Sequence, residues 1–330
     1  MPRALKLDVH AHLAGLGDGE SGCWTSPRFR RRYIIRALQW LHGIDPDHAE
    51  SSPDADWAAL LARRVRGSEL DHAVALGFDG VYGPDGRLDR ERSQMVVPTA
   101  WVLEVCRRHR ELIPGPSVNP HRRDALEALD EAVEGGAALL KWLPAVQGID
   151  AADRRHLPFY RRLAEAGLPL LVHAGGSEKT FAEVDPRLKD LRRLLLPLRE
   201  GVPVIVAHTA APVLYARDED QIPLLREWLE EFPHLWVDNS GMANPARFPH
   251  LPRFADDAQI AARTLHGSDF PVPTNAFYYA RRLGLRRVRS LERERNPLQR
   301  DVALKRALGY PEEVLTRAMQ VLPNLARWVG

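Results

Sequence analysis

The strongest constraint on the fold is a rhythm. Eight short apolar runs, bounded by turn residues, alternate with helical segments along a chain of 330 residues. The runs are residues 5–13, 73–78, 113–118, 138–143, 168–173, 202–208, 235–240 and 263–269. Segments 31–41, 101–109, 123–134, 157–166, 188–199 and 222–231 carry helical apolar periodicity instead, with Gly or Pro marking several of the boundaries. After a long first gap the runs follow one another a few tens of residues apart, with no short repeat and no low-complexity stretch.

Strands alternating with helices make a parallel α/β fold. Eight such units in this length match a (β/α)8 TIM barrel, in which functional groups stand at the C-terminal ends of the strands. The expected organisation is a single domain over residues 1–330. Residues 14–70 form a long insertion after strand 1 that caps the mouth, and an Arg-rich helical segment ends the chain. The alternative, an open doubly wound sheet, calls for a nucleotide-binding loop after the first strand. The glycine-rich GLGDGESG at 15–22 lies there, but no GxxG-to-helix pattern follows it.

A net charge of +2 with 27% charged residues leaves no bulk field to hold a nucleic acid or an anionic membrane. Neither is expected as a partner. No apolar stretch nears the roughly 20 residues that cross a bilayer, and no apolar signal core precedes the first strand. Cys23 and Cys106 are the only cysteines, which gives neither a disulfide framework nor a metal-ligand spacing, so a reducing cytoplasm is the expected compartment. Trp-rich and Arg-rich surface helices allow a homodimer.

The chemistry gathers at strand ends. His10 and His12 stand on the first run, and strand alternation puts them on one face together with Asp8. Lys141 ends the fourth run, one of only five lysines in an Arg-rich chain. His173 ends the fifth, on the face of Leu171. His208 ends the sixth, where alternation aligns it with Val204 and Val206, and Asp269 ends the eighth. A barrel aims all of them at one mouth. Imidazoles with a carboxylate are the ligand set of zinc, manganese, iron or nickel sites.

The opening Asp-Val-His-Ala-His at 8–12, Ser-Val-Asn-Pro at 117–120, Lys-Trp-Leu-Pro at 141–144, Leu-Val-His-Ala-Gly at 171–175, Val-Ala-His-Thr at 206–209 and Gly-Ser-Asp-Phe-Pro at 267–271 together resemble the amidohydrolase superfamily. Within it, the chain is similar to the amidohydrolase-related branch that includes aminocarboxymuconate-semialdehyde decarboxylase-like enzymes. The resemblance implies a distorted barrel in which His10, His12, His173 and Asp269 bind a divalent metal, zinc first. His208 is then either a ligand of a second ion or a donor to substrate, and Asp269 is the general base toward metal-activated water. A carboxylated Lys141 would bridge two ions; an unmodified Lys141 leaves one.

Asp8 is expected to support the ligands through hydrogen bonds, and His266 falls out of phase with Asp269. Arg28 in the insertion is a candidate clamp for a substrate carboxylate. Asn239 and Ser240, at the end of strand seven, are candidate substrate contacts. The reading is a metal-dependent hydrolase that cleaves an amide, lactone or ester C–N or C–O bond of a small carboxylate-bearing substrate. The alternatives are a non-oxidative decarboxylase or hydratase on the same site, and an inactive barrel that serves as a binding protein.

Overall fold

The computed structural model describes residues 4–17, 20–43 and 53–329. Eight parallel strands form its centre: β1 (Leu7–His12), β2 (His72–Leu76), β3 (Leu112–Gly115), β4 (Leu140–Trp142), β5 (Leu170–Val172), β6 (Val204–Val206), β7 (Leu235–Asp238) and β8 (Thr264–Leu265). Each coincides with one of the eight apolar runs. Strands β1, β2 and β3 pair in that order, and β4 to β8 pair in sequence.

Backbone hydrogen bonds just outside the short strands join the two groups at both seams. Ala138 N donates to Pro114 O at 2.9 Å and Lys141 N to Pro116 O at 2.8 Å, which stitches β3 to β4. Val9 N donates to His266 O at 2.9 Å and His12 N to Phe270 O at 2.8 Å, which stitches β8 to β1. The order returns to its start, so the sheet is a closed (β/α)8 barrel.

The strand alternation sorts the core into layers. Leu7, Val9, Leu76, Ile113, Leu139, Leu171, Ile205 and Leu265 meet in one cluster, with Trp236 against it. Only the inside of a closed ring lets all eight strands contribute to one cluster. Ala318, Leu322 and Leu325 of the C-terminal segment belong to the same cluster and close the N-terminal end of the ring. The alternate residues, among them Leu170, Val172, Val204 and Val237, pack outward against helical Phe159, Leu163 and Leu225.

Two departures from simple alternation serve the mouth. In β1 the register with β2 slips between Asp8 and Ala11. Across this bulge Leu7 and Val9 face the interior, yet His10 and His12 reach the mouth too. The expected common face of Asp8, His10 and His12 is therefore broken. In β6 it is Ile205 and Ala207 that point inward, while Val204 and Val206 pack outward. His208 arrives by another route: residues 208–210 turn left-handed, with φ near +53°, and swing the imidazole over the opening.

The helices match in the main, at Thr99–Arg108, Ala125–Glu134, Leu157–Glu165 and Ile222–Glu231. The single helix expected at 188–199 is instead two 3₁₀ turns and a short helix, Leu195–Arg199. Asp190 separates the two turns and caps the second, accepting from Arg192 N, which offers the backbone an alternative to continuing helix.

In the insertion, helices Tyr33–His42 and Pro53–Arg66 follow a short antiparallel pairing of Trp24–Thr25 with Met95–Val96. Phe29 stacks on Phe181, and Phe181 on Phe78, each at 4.6 Å between centroids. Trp57 Nε1 donates to His12 O at 3.0 Å, so the insertion grips the backbone of β1 directly. No helix among the described residues is long and apolar enough to cross a membrane. Cys23 and Cys106 are both buried.

Leu171 is fully buried at the heart of the interior layer. The Leu171→Ala variant should lose about 3 kcal/mol of stability in urea unfolding. A loss under about 1 kcal/mol would mean the ring is not packed as described.

Candidate metal centre

At the C-terminal mouth, His10, His12, Lys141, His173, His208 and Asp269 all line one cavity of about 690 Å³. Three ligand atoms converge most tightly. His10 Nε2 lies 3.2 Å from His12 Nε2, and Asp269 Oδ1 lies 3.4 Å and 3.3 Å from those two atoms. Ligands at 2.0–2.1 Å around a tetrahedral ion are separated by about 3.4 Å, so the triangle has the dimensions of a metal face.

The hydrogen bonds behind the triangle decide which ring nitrogens are bare. His10 Nδ1 is 2.8 Å from Asp238 Oδ2, an ionised carboxylate that can only accept, so Nδ1 carries the proton and Nε2 presents a lone pair. Nε2 therefore faces the Asp269 carboxylate as one acceptor to another, an arrangement a cation relieves. The residues fit a divalent ion on this ground. Lys141 Nζ, 3.0 Å from His10 Nε2, donates into the same lone pair.

His208 is fixed in the same way. Its Nδ1 lies 2.9 Å from both the carbonyl and the hydroxyl oxygen of Ser240, so it donates, and Nε2 is bare. Of the two roles expected for His208, the bare nitrogen suits a ligand; donation to substrate would need a second proton. His173 Nε2 is 3.0 Å from the Gly176 carbonyl, which leaves Nδ1 bare, 3.5 Å from Glu178 Oε2. Its ring lies 5.0 Å from that of His208. It does not join the His10, His12 and Asp269 atoms within 4.8 Å of one another.

Asp238 is the residue the sequence reading passed over. Its Oδ1 accepts from His208 N at 2.8 Å, Ser240 N at 3.0 Å and Ser240 Oγ at 2.5 Å, while Oδ2 takes His10. With its oxygens committed to donors, Asp238 orients ligands instead of binding metal, although it stands close enough to His10 and His208 to make a second His/Asp group. Strand alternation could have found it, since Trp236 on the same strand faces inward.

Backbone geometry completes the mouth. Asp269 has φ +63° and its N donates to His10 O at 2.7 Å, which locks the carboxylate beside β1. Gly241, at φ +56°, makes room for it: a Cβ there would lie 2.3 Å from Asp269 Oδ2.

Electrostatics follow from burial and these contacts. Burial alone would raise Asp269, but the hydrogen bond from His12 and the charges of His208, His10 and His12 hold it far below the carboxylate range. Burial lowers His10, His208 and His173, the last to about 4, with Lys141 or Arg247 adding to the effect. Burial also brings Lys141 down to about 8 against the pull of Asp238, Asp269 and Glu178. A fraction of neutral amine is then present near pH 7, the form that a carbamate requires.

Three candidate substrate contacts lie elsewhere. Arg28 is exposed on helix Pro27–Arg30 and does not line the cavity; Phe29 and Arg32 of the same segment do. Asn239 is fully buried and accepts from Gly267 N at 3.2 Å. Ser240 is fully buried beneath the imidazoles it hydrogen-bonds. Neither lines the cavity. His266 is buried outside it, as its phase implies. Glu178 and Arg247 do line it. Both sit in loops, where no period marks them.

The amidohydrolase family model matches residues 7–313. No curated protein matches the chain. Among solved structures, an uncharacterised TIM-barrel protein from Bordetella bronchiseptica is 14% identical with a TM-score of 0.61, covering 98% of this chain and 97% of that one. An amidohydrolase from Burkholderia multivorans is 17% identical with a TM-score of 0.54, over 96% and 100% of the two chains. A 2,6-dihydroxybenzoate decarboxylase is 12% identical with a TM-score of 0.51, over 99% of each. The chain belongs to the amidohydrolase family.

Asp8 supports the centre from below. Its Oδ1 accepts from His10 N at 2.9 Å and Ser268 N at 3.0 Å, while Oδ2 has no hydrogen-bond partner among the described residues. Burial pushes this carboxyl up to about 7, against hydrogen bonds from Ser268 and His10. The unfolded chain releases the same proton near pH 4, so between about pH 4 and 7 the folded state binds more protons and loses stability as pH rises. Asp8→Asn carries no such cost. With chelator present, its melting temperature relative to wild type should climb from pH 4 to pH 8; melting curves that track wild type at every pH would refute a strained carboxylate.

Proposed function

We propose that this member of the amidohydrolase family is a metal-dependent hydrolase that opens a C–N or C–O bond in an amide, lactone or ester bearing a carboxylate. The observation that carries the reading is the meeting of the bare His10 Nε2 with His12 Nε2 and Asp269 Oδ1 at 3.2–3.4 Å. A divalent ion held there, zinc first with manganese, iron or nickel as alternatives, supplies a water that ionises near pH 7 and polarises a carbonyl.

The chain's own groups do the rest. Asp238 keeps the proton on His10 Nδ1, so the ligand lone pair always faces the mouth. Asp269 stays ionised and takes the proton from the attacking water, then returns it to the leaving nitrogen or oxygen as the C–N or C–O bond breaks. His208 and His173 present further bare nitrogens, and Lys141 stands beside His10 Nε2, where its carboxylation would favour a second ion. Phe29, Ile35 and Leu38 of the insertion wall the cavity against Phe181 and Met95, an apolar lining that excludes water around the polar centre.

Arg247, in place of Arg28, is the group suited to a substrate carboxylate. It is only 6% exposed and lines the cavity. Nε donates to Ala211 O at 3.1 Å and Nη2 to Ser177 O at 2.9 Å, so the guanidinium is held by two carbonyls. The carboxylates of Glu178, Asp269 and Asp218 lie near it, and its planar guanidinium can still give a charge-assisted hydrogen bond to a further anion in the cavity.

The first test is a panel of aryl and alkyl carboxylates carrying amide, lactone or ester bonds, offered to metal-loaded protein. Acid release that chelation abolishes is the expected outcome. Carbon dioxide release without hydrolysis would assign the lyase alternative, and no turnover together with no melting shift on chelation would assign the binding-protein alternative. For any substrate found, Arg247→Met should raise KM about 10- to 100-fold, while leaving that of its uncharged methyl ester near the wild-type value. Equal effects on both would remove Arg247 from carboxylate recognition.

A further inference from the structure

The cavity at the mouth is much larger than its polar floor. It holds about 690 Å³ between the barrel and the insertion, the size of site that encloses a drug-sized molecule. The ionisable groups gather at one end, where Arg247 and Glu178 lie near Asp269 and Lys141 lies beside His10. Apart from these, the charged lining residues are Arg32 and Lys179. Lys179 is exposed at the rim, with its Nζ 5.3 Å from the centre of the Tyr215 ring.

The remaining walls are largely apolar. Helix Tyr33–His42 sets Ile34, Ile35 and Leu38 along the cavity, at the i, i+3 and i+4 spacings of one helix face. Met95, Phe181 and Val272 line it from the loops after β2, β5 and β8. Ile35 and Leu38 are only half-buried and Ile34 is 40% exposed, although all three line a concave space. A short, wholly polar substrate would leave these side chains in contact with water. An apolar chain would cover them, which is favourable in proportion to the area removed from water.

We propose that the ligand of this cavity is an amphiphile, a carboxylate joined to a long alkyl or arylalkyl chain. The charged end lies at Arg247 and the metal centre, and the chain runs between helix Tyr33–His42 and the wall formed by Met95, Phe181 and Val272. The proposal rests on the hydrolase reading above, in which such an amphiphile is the substrate and its amide, lactone or ester bond sits at the His10, His12 and Asp269 triangle.

The test is binding without turnover. Straight-chain carboxylates from butanoate to octanoate, each below its micelle concentration, are titrated by calorimetry into full-length protein supplied with zinc. One ligand per chain is expected, with Kd falling about threefold for each added methylene. Leu38→Asn, which keeps the size of the side chain and makes it polar, should flatten this trend and cost octanoate about tenfold more than butanoate. Trp40→Gln changes an exposed residue of the same helix that does not line the cavity, and should leave the trend as in wild type. Circular dichroism confirms that both variants fold. A Kd that varies by less than about threefold over the whole series would overturn the proposal, as would a trend that Leu38→Asn leaves intact or Trp40→Gln abolishes. The hydrolase reading fails separately: a chain-length trend with no acid release from any amide, lactone or ester would keep the amphiphile site and remove hydrolysis.

Discussion

The mouth of the barrel depends on one carboxylate that does not itself line the cavity. Asp238 ends β7 fully buried, and its two oxygens collect His10 Nδ1, the His208 backbone N–H and both donors of Ser240. A buried charge is costly unless it is satisfied this completely. Once it is, the proton positions on two imidazoles are no longer free. His10 and His208 both turn bare Nε2 atoms to the same cavity because their Nδ1 protons are spoken for behind them. The convergence of acceptors follows from that, and so does the fit to a cation.

Elsewhere the barrel bends its own rules to serve the mouth. A bulge in β1 lets Val9 fill the interior and His10 reach the opening from adjacent positions. A left-handed turn at His208 aims a side chain that alternation would have sent elsewhere, and another at Asp269 sets its carboxylate beside β1. Strain of this kind gathers at functional sites because the surrounding contacts hold it in place. Here the holding contacts are the Asp269 N to His10 O bond and the space left by Gly241. Below this level the interior is ordinary aliphatic packing, from Leu7 round to Leu265.

Much of this was legible in the residues. Apolar periodicity depends on local sequence, so it located all eight strands and most helices. Ligand-type residues at strand ends named His10, His12, Lys141, His173, His208 and Asp269, all of which reach one cavity. What stayed hidden has a physical reason in each case. The bulge and the left-handed turns depend on tertiary hydrogen bonds, so the phases inferred for Asp8 and His208 did not hold. Glu178 and Arg247 sit in loops, where position is set by contacts with distant chain. Arg28 and Arg247 are chemically alike, and only the fold shows one at the surface and the other against the cavity. Asp238 alone was within reach of the reading, as the inward residue that ends β7.

The central claim is that Asp238 sets His10 so that its Nε2, together with His12 Nε2 and Asp269 Oδ1, surrounds a metal position. A crystal of zinc-soaked protein, measured on both sides of the zinc absorption edge, tests it directly. The account predicts an anomalous difference peak about 2 Å from each of those three atoms, with His10 Nδ1 still hydrogen-bonded to Asp238. A peak elsewhere with none at the triangle, or a His10 ring turned so that Nδ1 meets the ion, would contradict it.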